Sequence, residues 1–182
     1  MPISLQTLKN FNNNRIFVET GSHIGDGIQL AIDAKFETII SIEILEVFHN
    51  ICVERFKSNN NVKLYIGDSS EMLWEIVKDI NKTITFWLDG HYPSEKIPKG
   101  KYLSPLIQEL DHIQRHPIKL HTILIDDMRC WNNFNNKYHN NFDISSIVQK
   151  IKQINPLYQI TFTDGMQVNG EILSKDIMVA KI

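Results

Sequence analysis

The feature that most restricts what this 182-residue chain can fold into is a regular alternation of two hydrophobic periods. Short apolar, β-branched runs occur at Ile16–Glu19, Thr38–Glu43, Val62–Ile66, Thr83–Asp89 and Thr122–Asp126. Between them lie segments with helical spacing, Gly25–Ala34, Glu46–Ser58, Ser70–Asn81 and Ser104–Arg115. A further helical stretch, Ile144–Asn155, puts Ile144, Ile147, Val148, Ile151 and Ile154 on one face. Strand–helix alternation predicts a parallel sheet with helices on both sides. The unbroken apolar content of the first strands fits burial on both faces. The alternation then stops, because two strands, about Tyr158–Thr163 and Ile177–Ile182, follow with no helix between them. The pairs Asp164-Gly165 and Asn169-Gly170 read as turn signals there, so the last strand is expected to enter the sheet antiparallel. The expected class is α/β, a doubly wound, mostly parallel sheet.

Length and composition predict one domain over residues 1–182, with residues 1–15 as a short N-terminal extension. A hydrophobic content of 42% against 22% charged residues is that of an ordinary globular chain with a real core. A net charge of -2 argues against a general binder of nucleic acid or of bilayer surfaces. Cys52 and Cys130 lack metal-ligand spacing and read as reduced thiols, as expected of a cytoplasmic protein. The chain has neither a signal-peptide pattern nor an apolar run of membrane-spanning length. Asparagine clusters at residues 12–14, 59–61 and 132–141 fall between the periodic segments, where Asn suits turns.

Ligands of such sheets bind outside the carboxyl ends of the strands, so the residues that end each strand decide the chemistry. Strand one runs into Glu19-Thr20-Gly21-Ser22-His23-Ile24-Gly25-Asp26-Gly27, a glycine-rich turn that lets backbone N–H groups approach a ligand at a helix start. Strand two ends at Glu43, about twenty residues later, where a carboxylate can accept hydrogen bonds from ribose hydroxyls. Strand three runs into Gly67-Asp68-Ser69-Ser70, and Asp68 could meet an exocyclic amine of adenine. Strand four ends in Asp89-Gly90-His91-Tyr92 and strand five in Asp126-Asp127-Met128. One such acid would usually cap a helix or turn. Five successive strands ending in acid are harder to attribute to capping.

This pattern resembles the class I S-adenosylmethionine-dependent methyltransferases, over nearly the whole chain from Ile16. Glu19-x-Gly21-x-x-x-Gly25-x-Gly27 looks like their first motif, Glu43 like the acid at the cofactor ribose and Gly67-Asp68 like the acid at the adenine. The resemblance implies a Rossmann-like seven-stranded sheet with an antiparallel last strand. It implies S-adenosyl-L-methionine as cofactor, held by Glu19, Gly21, Ser22, His23, Gly25, Glu43, Asp68, Ser69 and Asp89. The dehydrogenase fingerprint fits less well, because its glycines run G-x-G-x-x-G and here the long gap comes first. Within the superfamily, Phe86-Trp87-Leu88-Asp89-Gly90-His91-Tyr92 and Leu124-Ile125-Asp126-Asp127 look most like metal-dependent O-methyltransferases of the catechol and macrolide-sugar types. That likeness implies a divalent ion such as Mg²⁺ on Asp89, Asp126 and Asp127, which would lower the pKa of a substrate hydroxyl. The lysine base of the catechol type has no counterpart after Asp89, where His91 and Tyr92 stand. His91 is the preferred base, since an unperturbed imidazole titrates near working pH, with Asp89 as the substitute if no metal binds.

Two loops are expected to set the substrate. His91–Tyr102 carries Lys96, Lys99 and Lys101; Met128–Asn141 carries Arg129, Trp131, Phe134, Tyr138 and His139. The lysines and Arg129 could meet a phosphate or carboxylate. Trp87 and Trp131 could wall the pocket, though a tryptophan inside a strand is more often core. The short N-terminal extension leaves the site open, which suits a sugar or glycoconjugate acceptor or closure by a second subunit in a homodimer. The leading expectation is O-methylation of a sugar or other polyhydroxylated small molecule. Its rivals are a cofactor-binding protein of the same fold without turnover and a nicotinamide-dependent oxidoreductase.

Overall fold

Successive side chains of a strand point to opposite faces of its sheet, and in this protein both faces are apolar. The computed structural model describes residues 3–90, 100–102, 104–132, 143–166 and 171–182. Its strands are β1 (Ile16–Thr20), β2 (Thr38–Glu43), β3 (Val62–Ile66), β4 (Thr85–Leu88), β5 (Thr122–Ile125), β6 (Gln159–Met166) and β7 (Ile172–Lys181). They form one sheet in the order β3-β2-β1-β4-β5-β7-β6, with β7 antiparallel to both of its neighbours.

The helices divide between the two faces as the strand parity requires. Ile16 and Val18, Phe86 and Leu88, and Ile123 and Ile125 join one buried cluster with α4 (Ser69–Val77), α5 (Leu106–Arg115) and α6 (Ile144–Ile154). Phe17, Trp87 and Leu124, the residues between them, join the other with α1 (Leu5–Asn10), α2 (Asp26–Asp33) and α3 (Glu46–Phe56). Trp87 is therefore core. Strands β1, β2, β4 and β5 are almost wholly buried, as their composition predicts. Strand β3 differs, because it is the sheet edge and its side chains are half-buried or exposed.

The N-terminal extension is part of the packing. Ser4 caps α1 by accepting from the Thr7 N–H, and Ile3 and Leu8 are fully buried. A 3₁₀ turn at Asn12–Asn14 follows, and Asn14 Nδ2 donates to Ile84 O, Thr85 Oγ1 and Thr122 Oγ1, tying the amino ends of β4 and β5 together. The last two strands are longer than expected. Asp164-Gly165 lies inside β6 at a break in register rather than at a turn, and Asn169-Gly170 lies outside the described residues. A bulge explains the mistaken turn, since the same residue types serve both. Among the described residues no helix is long and apolar enough to cross a membrane.

The amino ends of the strands hold a buried run of hydrogen bonds. Ile84 N–H donates to His121 Nδ1 at 3.1 Å, so His121 carries its proton on Nε2, 3.0 Å from His116 Nδ1. His116 Nε2 lies 3.1 Å from Ile80 O, a group that can only accept. Both rings are thus neutral Nε2–H tautomers, and Tyr158 OH donates to His121 O at 2.9 Å. Burial and the neighbouring His116 push the His121 pKa down to about 3.

Candidate functional site

The chain winds outward from β1 in both directions, through β2 and β3 on one side and β4 and β5 on the other. The ligand crevice of such a sheet opens between β1 and β4, at their carboxyl ends. Gly21 closes that crevice tightly. It sits at φ +83°, its N–H donates to Ile42 O at 2.9 Å, and a Cβ there would lie 2.4 Å from the Asp89 carbonyl oxygen. Only glycine allows the β1 turn to lie against the β4 end this closely. Gly25, also left-handed at φ +87°, is the N-cap of α2.

Glu19 shares strand parity with Phe17 and points towards α2. It is buried beneath the turn, and a Cβ on Gly27 would fall 1.8 Å from its Oε1. Ser41 Oγ donates to Glu19 Oε2 at 2.5 Å and stands 2.5 Å from Ser22 Oγ, linking turn to β2. Burial raises the Glu19 pKa to about 8, with the charges of Glu43 and Asp26 adding to it and the Ser41 bond opposing it. Glu43, on the same face, accepts from His23 N at 2.8 Å and Leu45 N at 2.9 Å. That bond holds His23 at φ 47°, while its exposed ring packs on Phe48. Ser41 is a site residue the sequence reading did not single out. Its signal is a lone hydroxyl within Ile39-Ile40-Ser41-Ile42, in step with Glu19 and Glu43.

Asp68 and Ser69 start α4. Asp68 caps it through Ser70 N at 2.9 Å, and its other oxygen accepts from Lys101 N at 2.7 Å, which brings residues 100–102 to the β3 end. Lys101 Nζ pairs with Glu71 at 3.3 Å. Ser69 Oγ donates to buried Glu109 Oε1 at 2.6 Å. Glu109 also escaped the sequence reading, although an acid in the Leu106, Leu110, Ile113 stripe of α5 marks it.

Asp89, Asp126 and Asp127 come together at the ends of β4 and β5. One carboxylate oxygen from each lies within 4.8 Å of the others. Asp126 and Asp127 are buried and Asp89 is half-buried. Asp126 Oδ1 accepts from Asp127 N at 2.7 Å, and Asp127 adopts φ 57°, unusual for any residue but glycine. Burial raises the Asp89 pKa well above the carboxylate range, and the Asp127 and Glu19 charges add to it. Hard oxygen donors that repel one another across a few ångströms fit a divalent cation. Beside them a pocket is lined by Leu88, Leu106, Ile125 and Trp131, with Glu109 and Asp126 at its polar edge.

Arg129 is held within this cluster. Its Nη1 pairs with Asp127 Oδ1 at 2.5 Å and with Asp176 Oδ2, and its N–H donates to Asp176 Oδ1 at 2.9 Å. Asp176, a buried acid on β7, has only its burial to mark it, which the sequence does not display. His91, Tyr92, Lys96, Lys99, Phe134, Tyr138 and His139 lie outside the described residues.

No protein-family model matches the chain. No curated protein matches it in sequence either. Solved structures do. The O-methyltransferase TomG from Streptomyces achromogenes, solved with S-adenosylmethionine, superposes with a TM-score of 0.64 at 11% identity, over 99% of this chain and 81% of that one. The O-methyltransferase from Bacillus cereus, in complex with S-adenosylhomocysteine, gives 0.60 at 14% identity, over 98% and 79%. Methyltransferase FkbM from Methylobacillus flagellatus gives 0.55 at 16% identity, over 91% of this chain and 43% of that one. The chain has the seven-stranded fold of the class I S-adenosylmethionine-dependent methyltransferases.

Proposed function

We propose that this protein is an S-adenosylmethionine-dependent O-methyltransferase whose acceptor is a sugar or another polyhydroxylated small molecule, with a divalent cation such as Mg²⁺ on Asp89, Asp126 and Asp127. The observation that carries this reading is the meeting of these three carboxylates beside the Gly21 turn, where Gly21 packs against the Asp89 carbonyl.

In the transfer, an acceptor oxygen bonds to the sulfonium methyl carbon as the carbon–sulfur bond breaks, its electron pair staying on sulfur. The Gly21–Gly27 turn and Glu43 would seat the amino-acid end and the ribose, with Ser41 and buried Glu19 supporting the turn from beneath. Asp68 and Ser69 would face the adenine, as the family resemblance implies. A cation bound by the three aspartates would draw the acceptor hydroxyl proton towards release at neutral pH. His91 is the preferred acceptor of that proton, and Asp89 takes its place if no cation binds. The donor is already activated, so alignment of acceptor and methyl supplies much of the rate.

Calorimetric titration with S-adenosylhomocysteine tests the cofactor, and micromolar binding with a raised melting temperature is expected. No heat at millimolar ligand and an unchanged melting temperature would sink it. Activity that survives exhaustive chelation and Asp126→Asn would remove the metal from the reading. Cofactor binding without transfer to any acceptor in a glycan and metabolite screen would favour a protein of this fold without turnover.

A further inference from the structure

Arg129 is held by two acids that differ in kind. Asp176 is buried on β7, and both of its oxygens accept from Arg129, one from the backbone N–H at 2.9 Å and one from Nη1. Asp127 belongs to the triad, and the same Nη1 reaches its Oδ1 at 2.5 Å. One guanidinium nitrogen therefore bridges a fixed anchor and a candidate cation ligand. The arginine side chain is half-exposed, against 8% and 2% for its two acids, so it has room to turn where they have none.

The positions explain the arrangement. Asp127 sits at φ 57° in a cluster where three carboxylates crowd together, and mutual repulsion disfavours that geometry unless a positive charge stands by. Arg129 lies two residues further on, in the 3₁₀ turn Met128–Asn132, close enough to supply it. A guanidinium carries five donors in a fixed plane and keeps its charge at all working pH values, so it can serve two acids at once. This also gives Arg129 an employment other than an anion on the acceptor.

We propose that Arg129, anchored by Asp176, is the resident counter-cation of the acid cluster, balancing Asp127 until a divalent cation enters and then retained by Asp176. The inference rests on the reading of Asp89, Asp126 and Asp127 as a cation site. Arg129 and a divalent ion compete for Asp127, and by linkage whatever ties Arg129 to Asp127 weakens the ion to the same degree. Asp176 draws the guanidinium the other way, so it favours the ion without touching it. Both are positioning residues.

The test is Mn²⁺ affinity, followed by the loss of the free-ion electron paramagnetic resonance signal, in wild type, Arg129→Gln, Arg129→Lys, Asp176→Asn and Asp127→Asn. Arg129→Gln is expected to bind Mn²⁺ roughly tenfold more tightly, and to melt lower than wild type without the ion and level with it when saturated. Arg129→Lys returns affinity towards wild type. Asp176→Asn weakens it several-fold, because Arg129 is then left with Asp127 alone. A purely structural role for Arg129 predicts the opposite sign, weaker binding in Arg129→Gln. Equal or weaker binding in that variant, with Asp127→Asn abolishing it, overturns this inference and leaves the cation site standing. Absence of Mn²⁺ binding in every protein overturns it together with the metal half of the functional reading, while S-adenosylhomocysteine binding by the same samples keeps the cofactor half. If Arg129→Gln does not fold, the Arg129 Nε–H resonance of wild type decides. It should shift with Mg²⁺ over the range that binds the ion, and a stationary resonance overturns the proposal.

Discussion

The two ends of this sheet both bury titratable groups, and they treat them in opposite ways. At the amino end, His121, His116 and the backbone groups of Ile84 and Ile80 form a run in which every donor meets an acceptor. At the carboxyl end, Glu19 is held with a pKa near 8, Asp89 is pushed up by burial and by Asp127, and Asp127 sits in a left-handed conformation. A satisfied polar network specifies a structure; a crowded one stores free energy that a bound ligand can release. The contrast separates the end that holds the fold from the end proposed to bind.

The largest expected effect tests the carboxyl end. Gly21→Ala would set a Cβ 2.4 Å from the Asp89 carbonyl at φ +83°, against a backbone atom that cannot move aside. Chemical denaturation should show a loss of about 3 kcal/mol or more, from strain and steric overlap together. Affinity for S-adenosylhomocysteine should fall at least about a hundredfold with it, about 2.7 kcal/mol of binding free energy. A variant with wild-type stability and affinity would mean that the turn does not close the crevice.

Next is the amino end. His121→Ala strands the Ile84 N–H and opens a cavity against Phe86, while His116 Nδ1 keeps the Ile118 N–H, at a cost of about 2–4 kcal/mol. Its S-adenosylhomocysteine affinity should stay within about twofold of wild type, near the 0.4 kcal/mol such a ratio represents. A large loss of affinity would break the division between the two ends.

The ends should also fail on opposite sides of neutrality. His121 titrates near 6.5 when unfolded and about 3 when folded, so its contribution is full above 6.5 and is lost as pH falls towards 3. Glu19 runs the other way, from 4.5 unfolded to about 8 folded, so its contribution is full below 4.5 and is lost as pH rises through 8. Each slope is at most about 1.4 kcal/mol per pH unit for one group. Melting temperatures across pH should trace a dome, with His121→Gln flattening its acid limb and Glu19→Gln its alkaline limb. Exchanged effects would show that the perturbed groups lie elsewhere.

The smallest effect carries the sharpest sign. Asp89→Asn removes one of the crowded charges, and it should stabilise the cofactor-free protein by about 1 kcal/mol while abolishing methyl transfer. Destabilisation by the same change would mean that the carboxylates at this end are compensated as fully as the histidines at the other.

Local pattern carried the fold because parity and period are properties of neighbouring residues. Ile16, Val18, Phe86 and Ile123 fall on one face and Phe17, Trp87 and Leu124 on the other by alternation alone. The missing helix between β6 and β7 foretold the antiparallel strand. The β6–β7 turn was misread because Asp-Gly suits a bulge as well as a turn. The N-terminal extension was underrated, since a six-residue helix has too few turns to show a period.

The sequence by itself determined which residues could act, because the carboxyl end of each strand is fixed by where its apolar run stops. It thereby nominated Glu19, Glu43, Asp68, Asp89, Asp126 and Asp127. Only the tertiary structure decided what each acid meets. Glu19 lies under the turn with Ser41; Asp68 is bound by Ser70 and Lys101; Asp127 shares Arg129 with Asp176 from a strand fifty residues away in the chain. Such pairings depend on burial and on contacts between distant segments, and neither is written in the spacing of residues along one strand.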